Sequence, residues 1–197
     1  MMLQRKRIWI CAILIAAVLL TGMLLLLHQK PEPIVSAFLT KLYTVEDPAL
    51  VTVLYEKLQQ QVHQKAEQKM EQAGSERLVQ LSGNDDPFYV HYFQEYGSLC
   101  TKDGFEKMLA NRSFAACEQA AMRQNWRLEV GVITLDPHTP NQFGYHVEIT
   151  VTDIGTGEQK TVPMIGIILI KRTILGYKIN GIQMQSNSLM KPYPKVF

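Results

Sequence analysis

Residues 8 to 27 constrain this chain more than any other stretch. From Ile8 to Leu27 there are twenty residues without a charge, nearly all of them apolar. A helix rises about 1.5 Å per residue, so a run of that length reaches about 30 Å, the thickness of a bilayer's hydrocarbon core. Cys11, Thr21 and Gly22 are the only small or weakly polar interruptions besides alanine. A buried core helix would keep a polar stripe, and this stretch has none. A cleavable signal peptide would end an apolar region of about 7–15 residues in a small-x-small site. Here the exit is Leu27-His28-Gln29-Lys30-Pro31, with bulky residues throughout. The reading is an uncleaved signal-anchor. Arg5, Lys6 and Arg7 outweigh Lys30, so the positive-inside rule predicts a cytoplasmic tail over 1–7, a transmembrane helix over 8–27 and a linker over 28–33. The expected location is the cell membrane, single-pass, with the C-terminal domain extracytoplasmic. Gly22 stands alone, so the span offers no Gly-x-x-x-Gly dimerisation face.

Beyond the anchor about 165 residues remain, enough for one domain with a real core. The formal net charge is +2, and three of the basic residues sit in the N-terminal flank. The outer domain is therefore near neutral, without the concentrated basic face that nucleic-acid binding needs. Cys100 and Cys117 are its cysteines. We read them as two buried free thiols; outside the cytoplasm a bridge between them is the alternative. Neither has the close Cys or His spacing of a zinc site.

Pro31-Glu32-Pro33 is a stiff spacer. Ile34, Val35, Phe38, Leu39, Leu42 and Tyr43 then fall at helical spacing. Asp47-Pro48 starts a second helix, the aspartate as N-cap and the proline at the first helical position. Leu50, Val51, Leu54, Leu58 and Val62 define its apolar face, and the stripe thins after Val62, predicting an end that projects from the core. Residues 75–81 add a further turn or two of helix. Residues 82–87 carry strong turn chemistry and read as a loop. Phe88 to Tyr96 is the most aromatic run in the protein, and its pattern does not decide between helix and strand. Thr101 caps a helix with Phe105, Met108 and Leu109 inward, ending near Asn111-Arg112, and Phe114 to Arg123 is a further helix.

From Trp126 the period changes to two. Trp126, Leu128, Val130 and Val132 alternate with polar or small residues, as do Tyr145, Val147, Ile149 and Val151, predicting two half-buried strands. Residues 153–158 form a hairpin connection. Val162 to Ile170 is apolar on both faces and predicts a central strand; Leu175-Gly176 leads into a last strand from Tyr177, with a loose tail over 186–197. Helices first and a four-stranded antiparallel meander after them make an α+β domain over 34–185, its curved sheet wrapping a helical layer.

That order resembles the cystatin-like fold of the nuclear-transport-factor-two-like superfamily. The likeness lies in Ile34–Tyr43 with Asp47–Val62 as a leading helix pair, in Phe105–Arg112 as a later helix, and in the closing meander. The resemblance implies pocket enzymes, binding modules or assembly scaffolds, since the fold hosts all three. With one span and one outer domain, the chain also looks like the bitopic scaffold subunits of type IV secretion and conjugation machines. No residues carry over: that group's Asn-Pro-x-Gly loop motif is absent, and Pro140-Asn141-Gln142-Phe143-Gly144 has some of its residue types in another order.

No Gly-x-Ser-x-Gly, His-Glu-x-x-His or phosphate-cradling glycine loop occurs. The expectation is accordingly a non-enzymatic assembly or interaction module without a cofactor. Its expected partners are the membrane, other membrane-complex subunits or further copies of itself, and no nucleic acid. If helices cover only one face of the sheet, Met164, Ile165, Ile167 and Ile168 are the candidate interface, because a large apolar patch left exposed marks a contact surface. The alternative is a pocket that binds or transforms a small apolar ligand, with His91, Tyr92 and His146 near it, where a histidine with an aspartate or tyrosine could serve as an acid/base pair. A third reading is an accessory domain acting on cell-wall enzymes. His28, His63 and His138 read as an interfacial, a solvated and a turn histidine.

Overall fold

The computed structural model describes residues 30–73, 81, 83–187 and 189. The expected span over 8–27, the turn over 75–80 and nearly all of the tail beyond residue 187 lie outside those residues. Among the described residues no helix is long and apolar enough to cross a membrane. The described part is an α+β arrangement: five α-helices, then four strands in the order β1-β2-β3-β4, every neighbouring pair antiparallel. Helices grouped before one antiparallel sheet are compatible with the cystatin-like layout.

Local chemistry accounts for the helices. α1 (Glu32–Tyr43) buries Val35, Phe38, Leu39, Leu42 and Tyr43. α2 (Pro48–Ala73) starts where Asp47 Oδ1 accepts hydrogen bonds from the Ala49 and Leu50 amides, at 2.8 and 3.4 Å. Its buried residues are Tyr55 and Leu58, with Val51 packed beside them. Leu50, expected inside, is exposed, because the face that meets the core is centred on Tyr55. From Gln59 to Glu71 no residue of α2 is buried, so the helix does project.

The aromatic run is a helix, α3 (Pro87–Tyr96). Asp86, read from sequence as part of a loop, is its N-cap, with Oδ1 accepting from the Phe88 amide at 2.9 Å. α4 (Lys102–Ala110) is capped by Thr101, whose Oγ1 accepts from the Gly104 amide. α5 (Ala115–Gln124) ends at Asn125 in the left-handed region. The helices form two tiers. α1, α4 and α5 lie on the sheet, while α2 and α3 pack on the other helices. Gly104 lets α4 come close to β4: a Cβ there would sit 2.7 Å from the Asn180 backbone.

β1 (Trp126–Thr139) pairs with β2 (Gln142–Asp153), β2 with β3 (Gln159–Thr173), and β3 with β4 (Gly176–Asn187). Tyr145, Val147, Ile149 and Val151 are all buried, as their spacing predicts. Two readings on β1 need correction. The register shifts between Val130 and Ile133, so Val132 turns out to solvent, 60% exposed, and Ile133 packs inward in its place. His138 is not in a turn: β1 continues through Pro137, which an edge strand tolerates. β4 also runs further than the sequence suggests, and Leu189 beyond it is buried in the core.

Candidate functional site

Two features stand out once the core is set aside: the outer face of the sheet and a cleft in the helical layer. On β3 the side chains alternate strictly. Val162, Met164, Ile168 and Ile170 point into the core, and Met164 and Ile168 have no exposed surface. Pairing Met164 and Ile168 with an interface is therefore corrected: in a strand successive residues face opposite sides, and these two belong to the inner one. Ile165 and Leu169 face outward and are 42% and 41% exposed, with half-buried Ile167 between them. All the described helices lie on the other face.

The register sets the surroundings of that ridge. Ile165 lies opposite His146, and Ile167 lies between Gly144 and Gln183. Leu169 lies between Gln142 and Gly181. Both glycines are covered by side chains of the chain itself: a Cβ at Gly181 would lie 3.6 Å from Leu169 Cδ1. The His138 imidazole lies across Gly144, where a Cβ would come within 2.8 Å of its Nε2, and that nitrogen is 3.3 Å from Asp136 Oδ2.

The predicted pocket residues are not brought together. His146 is exposed on the outer face, while Tyr92 is buried on the inner side of the molecule. His91 neighbours Tyr92 on α3, with ring centroids 5.0 Å apart, yet lines different hollows. It borders grooves of about 470 and 700 Å³ that share Leu54, while Tyr92 borders a cleft of about 410 Å³.

Tyr92 takes part in a cluster that the sequence did not disclose. The Tyr55 and Tyr92 hydroxyls both donate to Glu118 Oε2, at 2.9 and 2.6 Å, and lie 2.6 Å from each other. One carboxylate oxygen thereby ties α2, α3 and α5. Burial pushes both phenols well above their ordinary range, and the Glu118 charge adds to the shift for each. They stay protonated as donors, which suits a structural lock and not a tyrosinate base. The signal for Tyr55 was available, since it stands on the helical stripe between Val51 and Leu58. Nothing marked Glu118, an acid in an alanine-rich helix.

The cleft itself lies beside this lock. Phe88, Leu109 and Phe114 supply apolar walls, and Gln59, Gln119, Asp86 and Arg112 supply polar edges. Phe114 stacks on Tyr92 at 5.5 Å and 25°, and Phe88 meets Tyr55 edge-on at 5.5 Å. Arg112 sits at φ 56°, a left-handed backbone that long side chains seldom adopt.

Cys100 and Cys117 are buried free thiols, and burial pushes each up to about 12. Among the described residues no group of three His, Cys, Asp or Glu side chains is placed to hold a metal ion. No known protein family matches the chain, and no curated protein or solved structure matches it.

Proposed function

We propose that this chain is a membrane-anchored, extracytoplasmic assembly module without enzymatic activity, and that it associates with a second copy of itself through the outer face of β3. The observation that carries the reading is the ridge of Ile165, Ile167 and Leu169 on a sheet face that none of the described helices covers. A second copy is the occupant favoured by three features. The uncharged run at 8–27 would confine copies to one membrane plane and raise their effective concentration. The domain is near neutral, so copies do not repel one another. A two-fold contact brings the same patch to itself, and the ridge of Ile165, Ile167 and Leu169 is centred on Ile167.

The more specific form of the proposal is a cystatin-like scaffold subunit of a bacterial conjugation or secretion complex. It is supported by the order of anchor and domain in the sequence and by the helix-then-meander layout. In that setting other membrane-complex subunits are partners as well.

The test is the mass of the full-length protein extracted from its own membrane in mild detergent, with every companion identified. A dimer or higher assembly is expected, with a stoichiometric set of membrane-complex subunits if the scaffold form holds. Ile167→Glu, which puts a charge in the centre of the contact, is expected to shift the mass to the monomer. A lone wild-type monomer would contradict the proposal.

A further inference from the structure

We propose that the cleft between α2, α3 and the α4–α5 connection is a binding site for a small planar apolar molecule carrying one carboxylate. The cleft holds about 410 Å³, within the range of small-molecule sites, about 300–1,000 Å³. Its walls are ring faces and edges from Phe88, Phe114, Tyr55 and Tyr92. Flat apolar ligands gain most from such walls. The tyrosine hydroxyls offer a ligand little, because both already donate to Glu118. Polar recognition therefore falls to the rim.

There Arg112 is the informative residue. It lines the cleft, is exposed, and has no ion pair among the described residues. Its φ of 56° closes the C-terminus of α4: the Arg112 amide donates to the Leu109 carbonyl at 2.9 Å and the Ser113 amide to the Met108 carbonyl at 2.8 Å. The helix end thereby fixes the backbone of Arg112 beside an aromatic slot. Guanidinium recognises carboxylates through paired N–H donors. Asp86 on the rim is engaged as the cap of α3, and Arg112 is the basic residue of the lining. One guanidinium matches a single carboxylate on an apolar body.

The test is isothermal titration of the full-length protein in lipid nanodiscs, with empty nanodiscs subtracted. The ligands are naphthalene-2-carboxylate, its methyl ester and octanoate. Saturable one-to-one binding of the naphthalene carboxylate is expected. Octanoate, matched in charge but lacking a flat ring, should bind more weakly. Arg112→Gln should weaken the carboxylate about tenfold and leave the ester unchanged. Gln119→Trp, which fills the slot from a partly exposed helix position, should abolish both, and its unfolding midpoint shows whether the fold persists. No binding by the wild type, octanoate as tight as the ring compound, or equal carboxylate affinity in Arg112→Gln would each overturn the proposal.

Discussion

The two faces of β3 carry nearly the same side chains and live in opposite surroundings. Inward, Met164 and Ile168 are sealed beneath the helices; outward, Ile165 and Leu169 stand in solvent. The residues are alike in hydrophobicity, so composition alone cannot say which set holds the fold. What decides is parity along the strand, fixed by the register with β2. The inner set is the core of the domain. The outer set contributes little to the folded monomer and is free for another contact.

Mutations on the two faces should separate accordingly. The largest effect is expected for Ile168→Ala, which removes a fully buried side chain and should lower the unfolding free energy by about 2–5 kcal/mol, read from the urea midpoint. Gly166→Ala comes next. Gly166 points inward, and a Cβ there would lie 2.5 Å from the Tyr145 hydroxyl and 2.3 Å from the Gln183 carbonyl. Neither the sheet backbone nor a phenol in a hydrogen bond gives way freely, so a loss of about 1–3 kcal/mol is expected. Tyr43→Phe should cost about 1–2 kcal/mol. It leaves the Tyr145 hydroxyl, 2.7 Å from that of Tyr43, buried without its partner. The smallest effect is expected on the outer face: Ile165→Thr should stay within about 0.5 kcal/mol of wild type, measured on monomer so that association does not contribute. A cost there comparable to Ile168→Ala would erase the distinction between the faces.

Much of this was legible in the sequence where one periodicity ran without interruption. The inward set on β2, the Thr101 cap and the projecting end of α2 all follow from spacing or cap chemistry. Three things did not. The helix α3 was ambiguous because aromatic residues suit either structure. The deciding signal was Asp86-Pro87, the same pair of cap and first-turn proline that identified the start of α2 at Asp47-Pro48. The slip at Val130–Ile133 reverses inside and outside within one strand, and Gly131 was the only hint of it. The Tyr55–Tyr92–Glu118 lock joins residues 37 and 63 positions apart, and no local pattern records a meeting at that distance. His146 did not join His91 and Tyr92 because the alternation that buries Tyr145 and Val147 turns it to the outer face.

The central claim, that the outer ridge of β3 meets a second copy, is tested most directly by cysteine cross-linking in the native membrane. Cys100 and Cys117 do not interfere, being buried with their thiols pushed up to about 12 and so almost wholly protonated at neutral pH. In a Cys11→Ser background, Ile167→Cys should form a disulfide-linked dimer on mild oxidation, because the proposed contact places its two-fold axis at the centre of the ridge, where position 167 meets its own copy. Glu56→Cys, exposed on the helical side, should remain monomeric. A monomer from Ile167→Cys, or equal cross-linking from both positions, would contradict the account.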